Sequence, residues 1–325
     1  MVRRIADGSG GRIAVLGAAS PAGAHVKAAL ADRGVPGARV DLYGHQREVA
    51  VLSEYDGEAR LVQPAKEIDP AACAAVFVCD DGHDGQRLAA AAASGTLVID
   101  LAGSVPGSLL AGSPQATAGQ RIVAVPHAIT VLLAGLLAPL HRTTGVKGAS
   151  MFVLRPASDF GEPGLEELRE QTVRLLRFES VPTEVFGRQL AFNAVPEHLF
   201  PSGEGGVAAR VVGECRLLLG APALPISLSL ALVPLFFGHA VAAHIDLVEP
   251  AYEQALATWR ATPGLEFAAD ADTGATLDAP EGPKCLIARV DAPGPSSLRV
   301  WAVGSEAGAA SAGRAIAVAA EAGIL

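Results

Sequence analysis

Over the first 130 residues, short apolar runs alternate with stretches of helical period. Ile13-Ala14-Val15-Leu16, Val40-Asp41-Leu42-Tyr43, Val76-Phe77-Val78-Cys79, Thr96-Leu97-Val98-Ile99-Asp100 and Ile122-Val123-Ala124-Val125 each have the length of a buried strand. Pro21 to Leu30, Gln86 to Ala93 and the apolar stretch from Ala128 read as helices. Strand–helix alternation of this kind builds a parallel, doubly wound sheet. The second half changes character. Met151-Phe152-Val153-Leu154 predicts a strand. Glu162 to Phe178 predicts a charged amphipathic helix, with Pro163 near its start where a missing N–H does no harm. After the pair Gly205-Gly206, Val207 to Leu219 predicts another helix. Cys285 to Asp291 and Leu298 to Val303 flank the turn Ala292-Pro293-Gly294-Pro295, an antiparallel hairpin signal. Ala307 to Ala322 is helical by its alanine content. The expected fold class is α/β: a doubly wound, nucleotide-binding-type parallel sheet, then an α+β domain with a mostly antiparallel sheet.

One segment raises a membrane question. From Leu217 to Ile245 no residue is charged at neutral pH, which is long enough to span a bilayer. The segment nevertheless holds Pro222, Pro225, Pro234, His239 and His244, and Ile226-Ser227-Leu228-Ser229-Leu230 has the alternation of a strand. Two consecutive buried strands explain it better, and the run from Ala128 to Leu140 is too short to span. A soluble protein of two packed units is expected for 325 residues. With 50% apolar and 18% charged residues the chain is not of the disordered class. A net charge of −9 argues against a nucleic-acid or anionic-membrane partner. Four scattered cysteines, none in a C-x-x-C pair, together with Met1 to Gly8 lacking an apolar core, point to a cytoplasmic protein.

Gly17-Ala18-Ala19-Ser20-Pro21-Ala22-Gly23 lies directly between a predicted strand and a predicted helix. Small residues there let the backbone approach a pyrophosphate seated on the helix N-terminus. Ser20 stands where a glycine is expected and Pro21 removes one donor, so a plain tight turn is the competing reading. Asp80, Asp81, His83 and Asp84 fit no metal-loop spacing; a solvated turn with Asp84 capping the next helix, and no metal, is expected. Cys79 ends a strand beside acidic residues that disfavour its thiolate. His239 and His244 are five apart, hence on opposite faces of a strand, and share no metal.

The sequence resembles the aspartate-semialdehyde dehydrogenase family, and within it the Usg-like subgroup more closely. The resemblance is carried by IAVLGAASPAG at 13–23, LVIDLAG at 97–103, IVAVPHAIT at 122–130, GLEELREQT at 164–172, FGRQLAFNAVP at 186–196, VPLFFGH at 233–239 and the terminal helix. It implies a Rossmann domain over 1–130 completed by a C-terminal helix at 305–325, and a dimerisation and substrate domain over 131–304. It implies a homodimer, and for active members an NADP-linked, thiol-based mechanism on an acyl phosphate or aldehyde. That chemistry needs a thiolate to attack the carbonyl and a histidine to move its proton.

The family's nucleophile loop reads Asn-Pro-Asn-Cys-Ser-Thr; here it reads Val125-Pro126-His127-Ala128-Ile129-Thr130, which puts Ala128 at the nucleophile position. By the same resemblance the family's glutamine falls at Arg155, its substrate-binding glutamate and lysine at Val207 and Arg210, its carboxylate-binding arginine at Leu232 and its phosphate-binding arginine at Pro106. His239 keeps the acid/base position. Arg155, Arg210 and His127 are the candidates for a small anionic ligand. NADP or NAD is the candidate cofactor: Gly44-His45-Gln46-Arg47 offers a cation for a 2′-phosphate, Asp80 and Asp81 oppose it, and Glu306 stands where active relatives have an asparagine. The resulting expectation is a dehydrogenase-fold dimer without thiol-based semialdehyde activity. Its alternatives are an NAD(P)-dependent oxidoreductase on another carbonyl, with His239 as acid or base, and a non-catalytic partner-binding subunit.

Overall fold

The computed structural model describes residues 11–45, 52–80, 84–115, 119–200, 206–269, 272–280, 284–304 and 307–325. Met1 to Gly8, Gln46, Arg47, Asp81, His83, Gly205 and Glu306, all weighed above, lie outside the described residues. In chain order the elements are β1 (Arg12–Leu16), α1 (Pro21–Asp32), β2 (Val40–Gly44), β3 (Leu52–Tyr55), β4 (Glu58–Leu61), β5 (Gln63–Pro64), β6 (Cys73–Val78), α2 (Gly85–Ala93), β7 (Leu97–Asp100), β8 (Leu109–Leu110) and β9 (Ile122–Ala124). They continue with α3 (Ala128–Thr143), β10 (Val146–Arg155), α4 (Gly161–Leu176), β11 (Val195–Pro196), α5 (Val207–Leu219), β12 (Ile226–Leu232), β13 (His239–Leu247), α6 (Tyr252–Arg260), β14 (Leu265–Phe267), β15 (Cys285–Gly294), β16 (Ser297–Gly304) and α7 (Ala307–Glu321). The chain divides into two compact units, residues 1–126 with 311–325, and residues 127–310.

The first unit is built on a seven-stranded sheet of order β5-β2-β1-β6-β7-β9-β8, every described pair parallel. Its interior strands are mostly apolar because both faces are covered. Ile13 and Val15 point into a core shared with Val26 and Leu30 of α1 and with Ala315, Ile316 and Ala319 of α7. Ala14 and Leu16 point the other way, into a core shared with Leu88 and Ala92 of α2. The last helix is fastened to this unit, with Ser311 Oγ donating to Pro126 O at 2.8 Å. Asp84 caps α2, its Oδ1 accepting from the N–H groups of Gln86 and Arg87.

The second unit carries a mixed, mostly antiparallel sheet of order β11-β12-β10-β13-β16-β15-β14. The parallel pairs are β10 with β12 and β14 with β15. One face, with Met151, Val153, Leu230, Val241 and Val300, packs beneath α3, α5 and α6. On the other face Ser150, Phe152, Ser227, Ser229, His244 and Arg299 are exposed, Phe152 on the interior strand β10 at 42%. The uncharged segment 217–245 does yield β12 and β13, but β10 lies between them, because α5 leads into β12 as a parallel neighbour of β10. The hairpin β15–β16 is longer than its sequence signal: Ala292, Pro293 and Gly294 remain in strand and the turn is displaced to Pro295-Ser296. Among the described residues no helix is long and apolar enough to cross a membrane.

Candidate functional site

In the second unit, Pro156 ends β10 and a 3-10 turn over Ala157–Phe160 folds the chain back. The turn is held by Ala157 N–H donating to Leu235 O and Ser158 N–H to Phe236 O. It returns Asp159 onto Arg155, whose Nε donates to Oδ2 at 2.7 Å. The same carboxylate meets His239, with Nε2 at 3.0 Å from Oδ1 and 3.2 Å from Oδ2. Gly238 places that histidine at the start of β13: it has φ +87°, and a Cβ there would come 2.8 Å from Thr276 O. The result is a buried chain Arg155–Asp159–His239, with Arg155 3% and His239 2% exposed. The Arg155 guanidinium also lies 5.7 Å and 5.4 Å from the Phe160 and Phe200 ring centroids. Burial alone would raise the Asp159 carboxyl, but His239 and then Arg155 outweigh it and hold the group below the ordinary carboxylate range.

Beside this chain lies the N-terminus of α3. His127 is its N-cap: Nδ1 accepts from Ile129 N–H at 3.1 Å, and the His127 N–H donates to Glu214 Oε2 at 2.7 Å. Glu214, on α5, also accepts from Thr130 Oγ1 and, at 2.8 Å, from Arg210 Nε. A carboxylate at this end satisfies donors the helix cannot pair internally and complements its dipole. Burial, then the charges of Arg155 and Arg210, push the His127 imidazole down to about 3. It is therefore neutral at physiological pH, and because Nδ1 accepts, its proton is on Nε2. Ala128 opens the helix between these groups. Ala128 also borders a cavity of about 160 Å³, with Val131, Gly135, Pro263, Leu265 and Cys285.

The neutral state of His127 gives a prediction. The unfolded chain takes up its proton near the ordinary value of 6.5, whereas the folded chain does so only near about 3. Between those values unfolding binds a proton, so stability falls as pH falls. His127→Asn keeps a capping side chain and should flatten this loss, read from urea midpoints at neutral pH and at about pH 5. Equal loss in both proteins would show that His127 does not carry the effect.

The three residues read as anion ligands, Arg155, Arg210 and His127, do belong to one neighbourhood. Both arginines, however, are engaged by carboxylates, and His127 is uncharged. Among the described residues this neighbourhood thus pairs each arginine with a carboxylate, Asp159 and Glu214, two residues not singled out from the sequence. Arg210 and Glu214 stand at i,i+4 on a helix, a readable signal; Asp159 sits in a turn and had none. Leu232 is 1% exposed in a cluster with Ala157, Leu168, Phe186 and Val195, so this chain uses the position for packing.

In the first unit, Gly17 to Gly23 form the turn between β1 and α1. Ser20 is the N-cap of α1: its Oγ accepts from Gly23 N–H at 3.0 Å and donates to Cys79 O at 3.2 Å. Gly17 and Ala18 donate to Tyr43 O, while the N–H groups of Ala19 and Ala22 have no partner among the described residues. A Cβ on Gly23 would fall 2.2 Å from Gly17 O, so helix and turn pack as closely as a phosphate cradle requires. The Asp80 carboxylate lies against Gly17, and His45 Nε2 stands 3.4 Å from its Oδ1. The Cys79 thiol is pushed up first by burial, and only then by Asp80 and Asp100. Among the described residues no three His, Cys, Asp or Glu side chains are grouped to hold a metal ion.

Residues 137–306 match the family described as semialdehyde dehydrogenase, dimerisation domain. The chain is 25% identical over 307 residues to aspartate-semialdehyde dehydrogenase 2 of Vibrio cholerae, covering 90% of this chain and 91% of that protein. It is 27% identical over 270 residues to the USG-1 protein homolog of Azotobacter vinelandii, covering 78% and 80%. The crystal structure of aspartate semialdehyde dehydrogenase II complexed with ASA, from Vibrio cholerae, has the same fold: TM-score 0.80 at 24% identity, over 96% of this chain and 98% of that one. These relatives bear out the resemblance read from the motifs, including its Usg-like part, and the α/β class with a second, mostly antiparallel sheet.

Proposed function

We infer that this chain, which belongs to the semialdehyde dehydrogenase family, is a member without thiol chemistry: a homodimeric dehydrogenase-fold protein lacking semialdehyde dehydrogenase activity and retaining a ligand pocket. The observation that carries this reading is Ala128 at the first position of α3, where the family resemblance puts the nucleophile. A methyl group forms no thioester. None of the four cysteines replaces it. Cys215 and Cys285 are pushed up to about 12 and Cys73 to about 11, each by burial foremost, and Cys79 is raised further. At neutral pH their thiolate fractions are on the order of 10⁻⁴ or less. Cys285 does border the cavity beside Ala128, but as a protonated wall residue.

The Gly17–Gly23 turn fits a dinucleotide in its backbone: the tight glycine contact, the helix N-terminus and the two open donors of Ala19 and Ala22 favour a pyrophosphate. The Asp80 carboxylate, 3.4 Å from His45 Nε2, works against it. A bound nicotinamide dinucleotide would supply a hydride donor or acceptor; the chain's part would be to hold its phosphates on the N–H groups of Ala19 and Ala22. The exposed face of the second sheet, Ser150, Phe152, Ser227 and Ser229 among its residues, supports self-association, in keeping with the family's dimerisation domain.

Purified protein given aspartate semialdehyde, phosphate and NADP is expected to form no NADPH above background. Ala128→Cys alone should not restore the reaction, since Leu232 is committed to the core and Pro106 offers no cation. Oxidation at an ordinary enzymatic rate by the unmodified protein would contradict the reading. A second reading, NAD(P)-dependent chemistry on another carbonyl, is favoured by the contact between His239 and Asp159; calorimetry showing no binding of either NADP or NAD would discard it.

A further inference from the structure

His239 is 2% exposed, and its two ring nitrogens are in opposite situations. Nε2 meets the Asp159 carboxylate at 3.0 Å. Nδ1 is buried with no hydrogen-bond partner among the described residues. An ionised carboxylate only accepts, so the nitrogen facing it must carry the proton. In the neutral form of the ring, Nδ1 then has a bare lone pair. A histidine kept only for packing would have no reason to leave that lone pair buried and unmet, since an unsatisfied buried acceptor is destabilising. His239 lies within electrostatic range of His127, the N-cap of α3.

We propose that Asp159 is a positioning residue for His239: it fixes the ring with its proton on Nε2 and presents Nδ1 as the pocket's acceptor for a ligand hydroxyl or N–H. Three features of the chain support this. Asp159 is itself held from behind by Arg155, at 2.7 Å, so turning away from the histidine would break that ion pair. The turn Ala157–Phe160 is fixed through its backbone to Leu235 and Phe236, just upstream of His239. The second histidine of the pocket has the same fixed sense, because His127 accepts at Nδ1 and therefore donates at Nε2. One acceptor and one donor, with no net charge in the surrounding ion pairs, suit a small polar ligand that brings a hydroxyl or N–H for His239. The ligand role rests on the reading of a retained, thiol-free pocket; the ring assignment does not.

The test is the protonation pattern of the His239 ring, read by long-range ¹H–¹⁵N NMR on ¹⁵N-labelled full-length protein at neutral pH and assigned by its loss in His239→Gln. The wild type is expected to show the proton on Nε2 and an unprotonated Nδ1. In Asp159→Asn, Arg155 can only donate and so takes the amide oxygen, which turns the NH₂ toward Nε2. The ring proton should therefore move to Nδ1. Asp159→Glu restores a carboxylate and should restore the wild-type pattern. A role of Asp159 confined to pairing Arg155 predicts no such exchange of pattern between Asn and Glu. A wild-type proton on Nδ1, or the same pattern in wild type and Asp159→Asn, overturns the proposal. Should Asp159→Asn fail to fold, the wild-type spectrum and Asp159→Glu decide it, since a Glu variant with the proton on Nδ1 also overturns it. These outcomes are independent of whether the protein oxidises a semialdehyde, so failure here and failure of the thiol-free reading are told apart.

Discussion

Asp159→Ala is expected to lower the unfolding free energy by about 3–5 kcal/mol, the range seen when one member of a buried ion pair is deleted. The magnitude follows from what is left behind. Arg155 is 3% exposed, and the carboxylate 2.7 Å from its Nε is the counter-charge that the turn after β10 supplies. Remove it and the buried guanidinium loses that counter-charge, and the cation–π attraction of the two rings beside it is worth only about 0.5–2 kcal/mol. His239 loses its partner in the same step. Arg155→Leu/Asp159→Ala should recover much of the loss, because no charge is then stranded. Urea denaturation of the wild type, both single variants and the double variant measures this as a cycle. A loss below about 1 kcal/mol in Asp159→Ala would show a solvated pair, of the kind that contributes little.

Gly23→Ala should damage the first unit and whatever binds there. The added Cβ would meet Gly17 O at 2.2 Å and Ala18 Cα at 2.9 Å, both backbone atoms that cannot swing aside. Relief requires α1 to move off the turn, at a cost of about 1–3 kcal/mol for overpacking. The Ser20 cap, which joins Gly23 N–H to Cys79 O, is strained by the same shift. If residues 17–23 cradle a dinucleotide, NADP affinity measured by calorimetry should fall at least about tenfold, an energy of about 1.4 kcal/mol. An NADP complex of unchanged affinity in Gly23→Ala would place the dinucleotide elsewhere.

The fold was legible where local pattern decides it. The strands of the first unit are apolar on both faces, as a helix-covered parallel sheet demands, so Ile13 to Leu16 could be read directly. Sheet order in the second unit was not. Nothing in residues 217–245 announces that β10, more than 70 positions upstream, inserts between β12 and β13. The ribbon β3–β4 and helix α6 were missed as well: Glu54, Glu58 and Arg60 interrupt the ribbon's apolar positions, and α6 buries only Ala255, Leu256 and Trp259. The site was half readable. Ala128 and His239 follow from motifs held in register, but the partners that set their environment do not. Glu214 reaches His127 across 87 positions, and Asp159 faces His239 across 80. Arg155 and Arg210 looked like free cations because a sequence shows charges without showing which of them are already paired.

The central claim, that no residue of this chain becomes acylated, has a direct test. Protein mixed with aspartate semialdehyde and NADP, with phosphate withheld, should show no stoichiometric burst of NADPH, and its intact mass should be unchanged. A burst of one NADPH per chain, with an acyl mass increment mapping to Cys285 or any other cysteine, would contradict the account.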